Sequence, residues 1–587
     1  MTRIDIKLKT ALALGIFNIA RVILYRLGIQ LRYPPLLNIN SQVSKPPFFR
    51  MPLLQSNTIV RKQWVTDYLY FGWFTKSITE IMPNWHQDPL TGKLSKTDTQ
   101  PWWRLNEFDP SLDVKNIWEL SRFEWVLACS QQALAGNRQQ WAKLNAWLAD
   151  WCAHNPPYYG LNWKCGQEAS IRVIHLAMAA LILDQIKSPE TGLITLIKTH
   201  LKRISPTISY AIAQDNNHAI SEAAALFVGG TWLSMTGDTD GKKWEVQGRK
   251  WLENRVARLI ETDGSFSQYS VNYHRMILDT LSFVEIWRRH HTLTQFSDTF
   301  YNRTKSATQW LATLVNPITG DAPNIGANDG ARLLSLEDTD YRDYRPSVER
   351  ASDLFLSQKI NSMPISSLFD KGGYAVLHLD NAMAILRYPR FRFRPSQTDC
   401  LHIDLWRNGE NLLRDGGTYS YNTDAQWINY FPNTIAHNTI QFDNQNQMPR
   451  LSRFLWGNWL TTKNVIPIQT TKEGIMTGAS YKDSQGATHF RKMVLQKIGL
   501  TIIDDISGFT KTAILRWRLK PGNWQLNGHH LSDGCHTIAL TATMPILRVQ
   551  VTQGWESRYY QHKNEVPVLE IEVSEPGTLT TEYLFNS

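Results

Sequence analysis

The period of the apolar residues changes once along this chain of 587 residues. Up to about residue 365, apolar residues recur with the 3.6-residue period of amphipathic helices. Beyond about residue 370, short runs alternate apolar and polar residues between turn residues, which is typical of antiparallel strands. The sequence therefore predicts a helical domain followed by a separate β domain.

The helical period is clearest in six stretches, which breaks containing Pro, Gly, Asn or Asp separate. They are residues 114–153, 168–186, 192–213, 219–235, 243–262 and 275–291. Successive antiparallel helices of this length favour a bundle or an α/α toroid. We predict an α+β multidomain protein, because the chain is also too long for one ordinary core. The predicted parts are an N-terminal extension (1–60), an α/α toroid (61–365) and an antiparallel β-sandwich (366–587), with a hinge at 360–372.

An apolar segment at residues 11–31 follows a basic start. Arg21 and Arg26 interrupt it before it reaches the ~20 apolar residues that a membrane span needs, and no clear signal-peptide cleavage site follows it. We interpret the segment as an amphipathic helix with Asn18 on its polar face. The helix either docks on the protein or lies on a membrane surface, so residues 1–31 are a candidate peripheral membrane contact.

The composition restricts the partners. A net charge of +10 attracts polyanions, but the chain has no nucleic-acid motif, lysine-rich arm or zinc finger. An acidic polysaccharide or a membrane surface is therefore the better partner, and no nucleic-acid partner is predicted. The five Cys show no CxxC spacing and predict neither a disulfide framework nor a thiolate metal site. Oligomeric state and compartment stay open, with periplasmic and cytoplasmic, inner-membrane-associated locations in a bacterium as the alternatives.

The first candidate site is a polar cluster at a predicted helix start, formed by Asp215, Asn216, Asn217 and His218. A helix cap would explain one of these side chains, but two Asn and a His exceed that need. His218 and Glu222 are four residues apart and share one helix face. We expect Glu222 to orient His218 while Asn217 points into a cleft.

The second candidate site is Tyr273, at the polar start of another predicted helix. It follows a turn at residues 263–265 and precedes His274 and Arg275. A Tyr here is alternatively an ordinary core residue, but the polar neighbours favour a functional one. Since a phenol has an unperturbed pKa of about 10, a nearby cation such as Arg275 or a His would help Tyr273 to ionise.

The third candidate site lies in the β half. His402 and Asp404 are two residues apart in a predicted strand, so their side chains face the same side. Asp415 stands beside a Gly-rich turn, and His437 lies further along the chain. Asp404, Asp415 and His437 form a plausible nitrogen and oxygen triad for a metal ion.

In their order and spacing, these clusters resemble the heparinase II/III and alginate-lyase superfamily of polysaccharide lyases. The resemblance covers residues from about 100 to 440. It rests on Asn216-Asn217-His218 with Glu222, Asp263-Gly264-Ser265 through Tyr273-His274, His402-Ile403-Asp404, Leu412 through Tyr421, and Ala436-His437-Asn438-Thr439. Trp163, Glu168 and Arg172 also resemble the family's cleft-lining helix start.

The resemblance implies an incomplete α/α toroid followed by a β-sandwich, with substrate in the groove between them. It implies β-elimination on a uronic-acid-containing acidic polysaccharide. Asn217, with His218, would neutralise the uronate carboxylate, Tyr273 would be acid or base, and His402 would be the base. The remaining matched residues would contact substrate: Asn216, Trp163, Glu168, Arg172, Glu222 and His274.

The resemblance also implies one divalent metal ion at Asp404, Asp415 and His437. Some family members have His where this chain has Asp404. Two carboxylates and one His are a harder ligand set, in the acid–base sense, than two His and one Asp. Zinc is the first expectation, and calcium and manganese are the alternatives.

Two other function classes stay open. A glycoside hydrolase on a similar toroid would need two carboxylates flanking the bond at ~5–9.5 Å, and Glu168, Glu222 and Asp329 are the candidates. A non-catalytic glycan-binding or exopolysaccharide assembly protein would keep the fold without the reaction. Asn217, Tyr273 and His402 argue against that alternative.

Overall fold

The structure is a computed structural model that describes residues 3–37, 39–53, 60–78, 82–96, 99–109, 111–356 and 365–585. Helices dominate its first part and strands its second part, as the two apolar periods predicted. The helices are α1 (Arg3–Leu14), α2 (Ile16–Gln30), α3 (Pro34–Leu37), α4 (Val114–Ser121), α5 (Glu124–Leu134), α6 (Arg138–His154), α7 (Gly166–Ile182), α8 (Thr191–Ile204), α9 (Ile208–Ala213), α10 (Asn217–Met235), α11 (Gly241–Leu259), α12 (Val271–His290), α13 (Asp298–Leu314), α14 (Arg345–Phe355) and α15 (Ala425–Tyr430).

Two of the six predicted helical stretches are interrupted. Residues 114–153 form α4, α5 and α6, because Phe123 and Gly136 adopt left-handed backbone, with φ of 70° and 97°, which ends a helix. Residues 192–213 form α8 and α9, separated where Pro206 lacks an amide hydrogen. The other four stretches match α7, α10, α11 and α12.

Helix α10 lies at the centre of the helical domain and contacts α7, α8, α11 and α12. Glycines let α11 approach it closely. A Cβ on Gly248 would lie 2.3 Å from Phe227 N, and one on Gly241 would lie 2.4 Å from Ser234 N. Because a real Cβ would push the two helices apart, these glycines help to fix the position of α10.

The strands form hairpin-rich antiparallel sheets. They are β1 (Asp67–Tyr70), β2 (Phe74–Ser77), β3 (Ser367–Phe369), β4 (Tyr374–Leu379), β5 (Ala382–Arg387), β6 (His402–Arg407), β7 (Glu410–Leu413), β8 (Ile440–Phe442), β9 (Arg450–Ser452), β10 (Leu455–Trp456), β11 (Thr462–Thr470), β12 (Ile475–Lys482), β13 (Thr488–Gln496), β14 (Gly499–Ser507), β15 (Ala513–Arg518), β16 (Gln525–Asn527), β17 (His530–Ser532), β18 (His536–Ala542), β19 (Ile546–Tyr559), β20 (His562–Val573) and β21 (Gly577–Phe585).

Three larger sheets and the two-stranded β9-β10 sheet form the described part of the β domain. The strand orders of the larger sheets are β3-β4-β5-β6-β7, β11-β12-β13-β14-β21-β18-β17-β16 and β19-β20-β15-β8. Ile403 of the first sheet, Ile502 of the second and Leu515 of the third belong to one buried apolar core. The prediction of a helical domain followed by an antiparallel β domain is confirmed.

The predicted hinge at residues 360–372 lies partly outside the described residues, which resume at residue 365. Within the described part, residues 370–373 form the turn between β3 and β4. Lys371 N donates to Asp263 Oδ2 at 2.8 Å, so this turn is tied to the helical domain just before α12.

Asp113, the N-cap residue of α4, joins the helical and β domains. Its carboxylate accepts hydrogen bonds from Ser420 Oγ at 2.7 Å, Tyr560 OH at 2.7 Å and Gln561 Nε2 at 2.8 Å. Tyr560 OH also accepts from Tyr421 N at 2.8 Å. This network holds the loop after β7 against the starts of the helices.

The helices α1 and α2 lie on the outside of the helical domain. Among the described residues, no single helix is long and apolar enough to cross a membrane, although α1 and α2 pass the same test together as a pair bent by 96°. Asn18, on the predicted polar face, donates to Asp215 Oδ2 at 2.7 Å. The polar face is therefore the one that docks on the protein.

Candidate active site

The start of α10 places two neighbouring asparagines in different surroundings. Asn216 is the N-cap residue, and its Oδ1 accepts from His218 N at 3.1 Å. Asn217 N donates to Gln268 Oε1 at 2.8 Å, and its side-chain Nδ2 donates to Met276 Sδ at 3.4 Å. A thioether is a weak acceptor, so the Asn217 amide keeps donor capacity for a ligand, whereas Asn216 holds the helix end.

His218 and Glu222 face each other on α10, as the i, i+4 spacing predicted, with His218 Nδ1 3.9 Å from Glu222 Oε1. The His218 side chain is 23% exposed and that of Glu222 only 4%. Burial lowers the pKa of His218, although Glu222 opposes this. Burial raises the pKa of Glu222 to about 8. At neutral pH the two groups are therefore a neutral pair, with His218 able to accept a proton.

Tyr273 lies at the start of α12, where Ser270 Oγ accepts from its backbone amide at 3.1 Å. Its hydroxyl is 2.9 Å from the hydroxyl of Tyr421, a residue of the β half that the sequence did not single out for a role. Burial and the nearby Asp329 carboxylate raise the pKa of both phenols well above 10. Both tyrosines are therefore neutral proton donors at neutral pH.

The expectation that Arg275 helps Tyr273 to ionise is wrong. The Arg275 guanidinium packs over the rings of Tyr341 and Tyr344, at 4.5 and 4.3 Å from their centroids. Its NH2 donates to Asn272 Oδ1 at 2.9 Å. Helix residues two positions apart project about 200° apart around the axis, which directs this cation away from the phenol.

Arg394, and not Arg275, is the cation near the Tyr273–Tyr421 pair. It interacts electrostatically with Tyr210, Tyr273 and Tyr421, and burial lowers its pKa. Within the part of the chain that the structure describes, Arg394 has no hydrogen bond to a carboxylate and no ion pair. The sequence signal that would have found it is the alternation of Arg and aromatic residues at 390–394.

A buried ion network lies beneath this group. Arg122 Nε donates to Glu168 Oε2 at 2.9 Å, and Lys115 Nζ is 3.5 Å from Asp329 Oδ2. Against the effect of burial, Arg122 and Lys115 hold the pKa of both carboxyl groups below their ordinary values. Glu168 and Asp329 are therefore ionised and neutralised by protein cations. Glu168, which was predicted to contact substrate, is 1% exposed and is paired with Arg122 in this structure.

Three further residues predicted to contact substrate are interior residues, with at most 1% of each exposed. Trp163 packs on His200 at 4.7 Å between ring centroids, and Arg172 Nε donates to His200 Nε2 at 2.8 Å. The His274 ring stacks on Trp310 at 4.3 Å, and burial lowers its pKa to about 4. The contacts that these residues make are with other interior side chains, which support the helices behind the site.

The β half contains a group of residues that could hold a metal ion, and its composition corrects the predicted triad. His402, Asp415 and His437 bring one ligand atom each within 4.8 Å of one another, and all three are fully buried. Asp404 is not a member of this group. Its Oδ1 accepts from Trp406 Nε1 and, at 2.8 Å, from Asn411 Nδ2. These hydrogen bonds occupy Oδ1 of Asp404, whereas its buried Oδ2 has no hydrogen-bond partner among the described residues and lies 3.6 Å from His402 Nε2.

Unpartnered nitrogen atoms fit this group to a metal ion. His437 Nδ1 lies 2.9 Å from Asp415 Oδ2, which leaves the buried Nε2 of His437 without a hydrogen-bond partner. His402 Nε2 is also buried and unpartnered, 3.5 Å from Asp415 Oδ2. However, His402 Nδ1 accepts from Asn438 N at 3.0 Å, which favours a proton on Nε2. Metal binding through His402 would therefore require a change of tautomer.

The same geometry changes the assignment of His402. It was predicted to be the base at the groove, but it has no exposed surface. Both of its ring nitrogens face buried groups of the β domain, Asn438 on one side and Asp415 on the other. In this structure His402 is thus part of the candidate metal group and not of the groove surface.

Two family models match this chain. Residues 65–335 match the heparinase II/III N-terminus, and residues 363–575 match the heparinase II/III-like C-terminal domain. A comparison with curated proteins returned no match.

Solved structures of heparinases share the fold. Heparinase III superposes with a TM-score of 0.67 at 16% identity, over 92% of this chain and 88% of the other. The heparan sulfate lyase HepC from Pedobacter heparinus gives a TM-score of 0.53 at 16% identity, over 89% and 82%. Since the two family models together match most of the sequence, this chain belongs to the heparinase II/III family and is a polysaccharide lyase.

Proposed function

We propose that this lyase cleaves a uronic-acid-containing acidic polysaccharide by β-elimination in the groove between the helical and β domains. The observation that carries the proposal is the Tyr273–Tyr421 phenol pair, 2.9 Å between oxygens, with the cation Arg394 beside it. Asn217 contributes an amide that contacts Met276, on the same helix as Tyr273. The name of the Pedobacter relative, a heparan sulfate lyase, also supports an acidic substrate.

The amide of Asn217 and the guanidinium of Arg394 fit the carboxylate of the uronate. Removal of the proton on C5 places negative charge on that carboxylate, so donors there stabilise the transition state more than the ground state. Among the described residues, the Asn217 Nδ2 amide has only a thioether acceptor, and Arg394 has no carboxylate partner. An acidic sugar would supply the missing acceptor for both.

His218 fits the role of base and Tyr273 that of acid. Because burial lowers its pKa, His218 is unprotonated at neutral pH and accepts the C5 proton. The electron pair of that C–H bond forms the C4–C5 double bond while the C4–O bond breaks. Tyr273, whose pKa is raised well above 10, gives its phenol proton to the leaving oxygen, and Tyr421 donates a hydrogen bond to the phenolate that forms.

A divalent ion would be held by His402, Asp415 and His437. It would join β6 to two loops of the β domain, so that its binding free energy contributes to folding of that domain. Zinc suits a site with two imidazoles and one carboxylate better than calcium does. The proposed elimination uses no group of this site.

The raised pKa of Glu222 favours a hydrolase, because a buried carboxyl group with a pKa of about 8 is a protonated acid at neutral pH. A hydrolase would also need a second, poised carboxylate near the bond. Glu168 and Asp329 do not meet this need, since both are paired with Arg122. The elimination mechanism therefore explains more of the candidate side chains than hydrolysis does.

The test is a panel of acidic glycans, including heparan sulfate, alginate, hyaluronate and bacterial capsular uronates, incubated with the full chain. Elimination creates a double bond conjugated to a carboxylate, so products absorb in the near ultraviolet and each cut also yields a new reducing end. New reducing ends without that absorbance would show hydrolysis instead of elimination and would contradict this proposal. Glycan binding without either product would identify a non-catalytic binding protein.

A further inference from the structure

The helices α1 and α2 are amphipathic, but they expose their apolar face to solvent instead of burying it. Their large apolar side chains point to solvent. We name this stripe the N-terminal apolar surface, and it is formed by Ile4, Leu8, Leu12, Phe17, Leu24 and Leu31. Phe17 is 83% exposed and Leu31 is 78% exposed. An amphipathic helix of a globular protein normally buries this face in the core, so another apolar phase is needed to cover it.

The polar face of α2 is anchored and cannot exchange places with the apolar one. Asn18 Nδ2 donates to Asp215 Oδ2, and Asp215 also pairs with Arg255 at 2.9 Å and Arg258 at 3.0 Å. The Tyr25 ring stacks on Tyr210 with 4.2 Å between centroids. Turning the apolar face inward would break these contacts, so its exposure is a fixed property of the fold.

Cations flank the N-terminal apolar surface. Lys7, Lys9, Arg26 and Arg32 are exposed along α1, α2 and the turn that follows. On a helix, Lys7 and Lys9 fall on either side of the stripe that Ile4, Leu8 and Leu12 form. Long cationic side chains in this position reach lipid headgroups while neighbouring apolar side chains enter the acyl region.

Charge also argues against a second copy of this chain as the occupant. A two-fold dimer through this surface would bring each cation of one copy against the same set of cations on the other. An anionic lipid surface meets both requirements at once, since it supplies negative charge at the headgroups and an apolar layer beneath them.

We propose that the N-terminal apolar surface binds an anionic membrane surface, with α1 and α2 lying in the plane of the interface. Two helices joined at a bend of 96° can share one plane. The contact that anchors α2 involves Asp215, which directly precedes the cluster at the start of α10. Membrane binding would therefore keep the catalytic helix start, and the glycan it acts on, near the membrane.

The test is cosedimentation of the full chain with vesicles of phosphatidylglycerol and phosphatidylethanolamine, compared with vesicles of phosphatidylcholine alone. We expect binding to the anionic vesicles that weakens with salt. The double variant F17S/L24S should lose at least about a hundredfold in partition coefficient, because each large apolar side chain removed from lipid weakens binding by roughly tenfold or more. The variant K7E/R26E should lose about tenfold or more on anionic vesicles.

Matched controls carry the same changes elsewhere on the surface. Ile498 and Leu547 are 66% and 57% exposed on the β domain, so I498S/L547S removes comparable apolar area. Lys243 and Lys472 are exposed, so K243E/K472E makes the same charge change. All four variants should keep the wild-type melting temperature and turnover on a soluble glycan.

Two results would overturn the proposal. One is equal vesicle binding by F17S/L24S and I498S/L547S. The other is a concentration-dependent dimer in sedimentation velocity that F17S/L24S abolishes, which would assign the surface to a second copy. Because vesicle binding is measured without a glycan, failure here leaves the proposed lyase mechanism to its own test.

Discussion

The phenol oxygens of Tyr273 and Tyr421 lie 2.9 Å apart, although 148 residues separate the two tyrosines in sequence. The helical domain supplies one phenol and the β domain supplies the other. The network around Asp113 brings them together, since Tyr560 OH bonds both to Asp113 and to the backbone of Tyr421. The phenol pair therefore exists only when the two domains are docked.

Tyr273→Phe should abolish most turnover without loss of stability. A purely structural hydroxyl would contribute about 1 kcal/mol, whereas a general acid contributes about 10²–10⁴-fold to rate. We expect kcat on the best glycan to fall within that range while the melting temperature and glycan affinity stay near wild type. Tyr301→Phe, which removes a hydroxyl bonded to Glu285 outside the groove, is the control. Retention of more than about a tenth of wild-type turnover would remove Tyr273 from the chemistry.

Asn216→Ala and Asn217→Ala should separate stability from catalysis at adjacent positions. Asn216 caps α10, so its loss should cost about 0.5–2 kcal/mol in the free energy of unfolding and spare turnover in the folded fraction. Asn217→Ala should lower kcat at least about a hundredfold, as removal of one oxyanion donor does. Urea unfolding and steady-state kinetics on both variants test this contrast, which equal losses of turnover would contradict.

Arg394→Ala should weaken recognition of the acidic group. A hydrogen bond to a charged partner contributes about 1.5–3 kcal/mol, so kcat/KM should fall about 10–100-fold. Arg392→Ala serves as the control, because Arg392 is exposed and pairs with Glu261. If both variants behave alike across glycans of different charge, Arg394 does not bind the carboxylate.

Glu222 should make stability fall as pH rises. Burial raises its pKa from 4.5 to about 8 in the folded chain, so the folded state holds a proton that the unfolded state releases above about pH 4.5. The stabilisation is complete below pH 4.5, declines by at most about 1.4 kcal/mol per pH unit, and is lost above pH 8. Glu222→Gln should flatten this slope in urea unfolding between pH 5 and 8. Parallel slopes for the two proteins would show that Glu222 titrates normally.

The candidate metal group and the strand pattern predict different ligands, and two variants tell them apart. We expect elemental analysis of protein prepared without chelator to find one divalent ion per chain. Asp415→Asn should lose the ion and have a lower melting temperature, and chelation of the wild-type protein should have the same effect. Asp404→Asn should retain the ion. The reverse result would restore the triad with Asp404, and wild type without stoichiometric metal would remove the site.

The sequence by itself determined the features that depend on near neighbours. The change of apolar period predicted the helices and then the strands, since each pattern reflects burial within a single element. The polar helix starts at Asn217 and Tyr273, and the i, i+4 pair of His218 and Glu222, followed from the same local geometry. The order of the motifs was enough to indicate the family that the comparisons then showed.

Only the tertiary structure decided what depends on domain docking and on exposure. It brought Tyr421 and Arg394 to Tyr273, because local sequence patterns do not fix distances between separate elements. It also grouped His402 with Asp415 and His437, while Trp406 and Asn411 donate to Asp404 Oδ1. It also reversed the expected direction of the Tyr273 pKa shift, since burial outweighs any cation nearby. Finally, it showed which face of α2 docks: buried Asn18 donates a hydrogen bond to half-buried Asp215, and the apolar face is left outside.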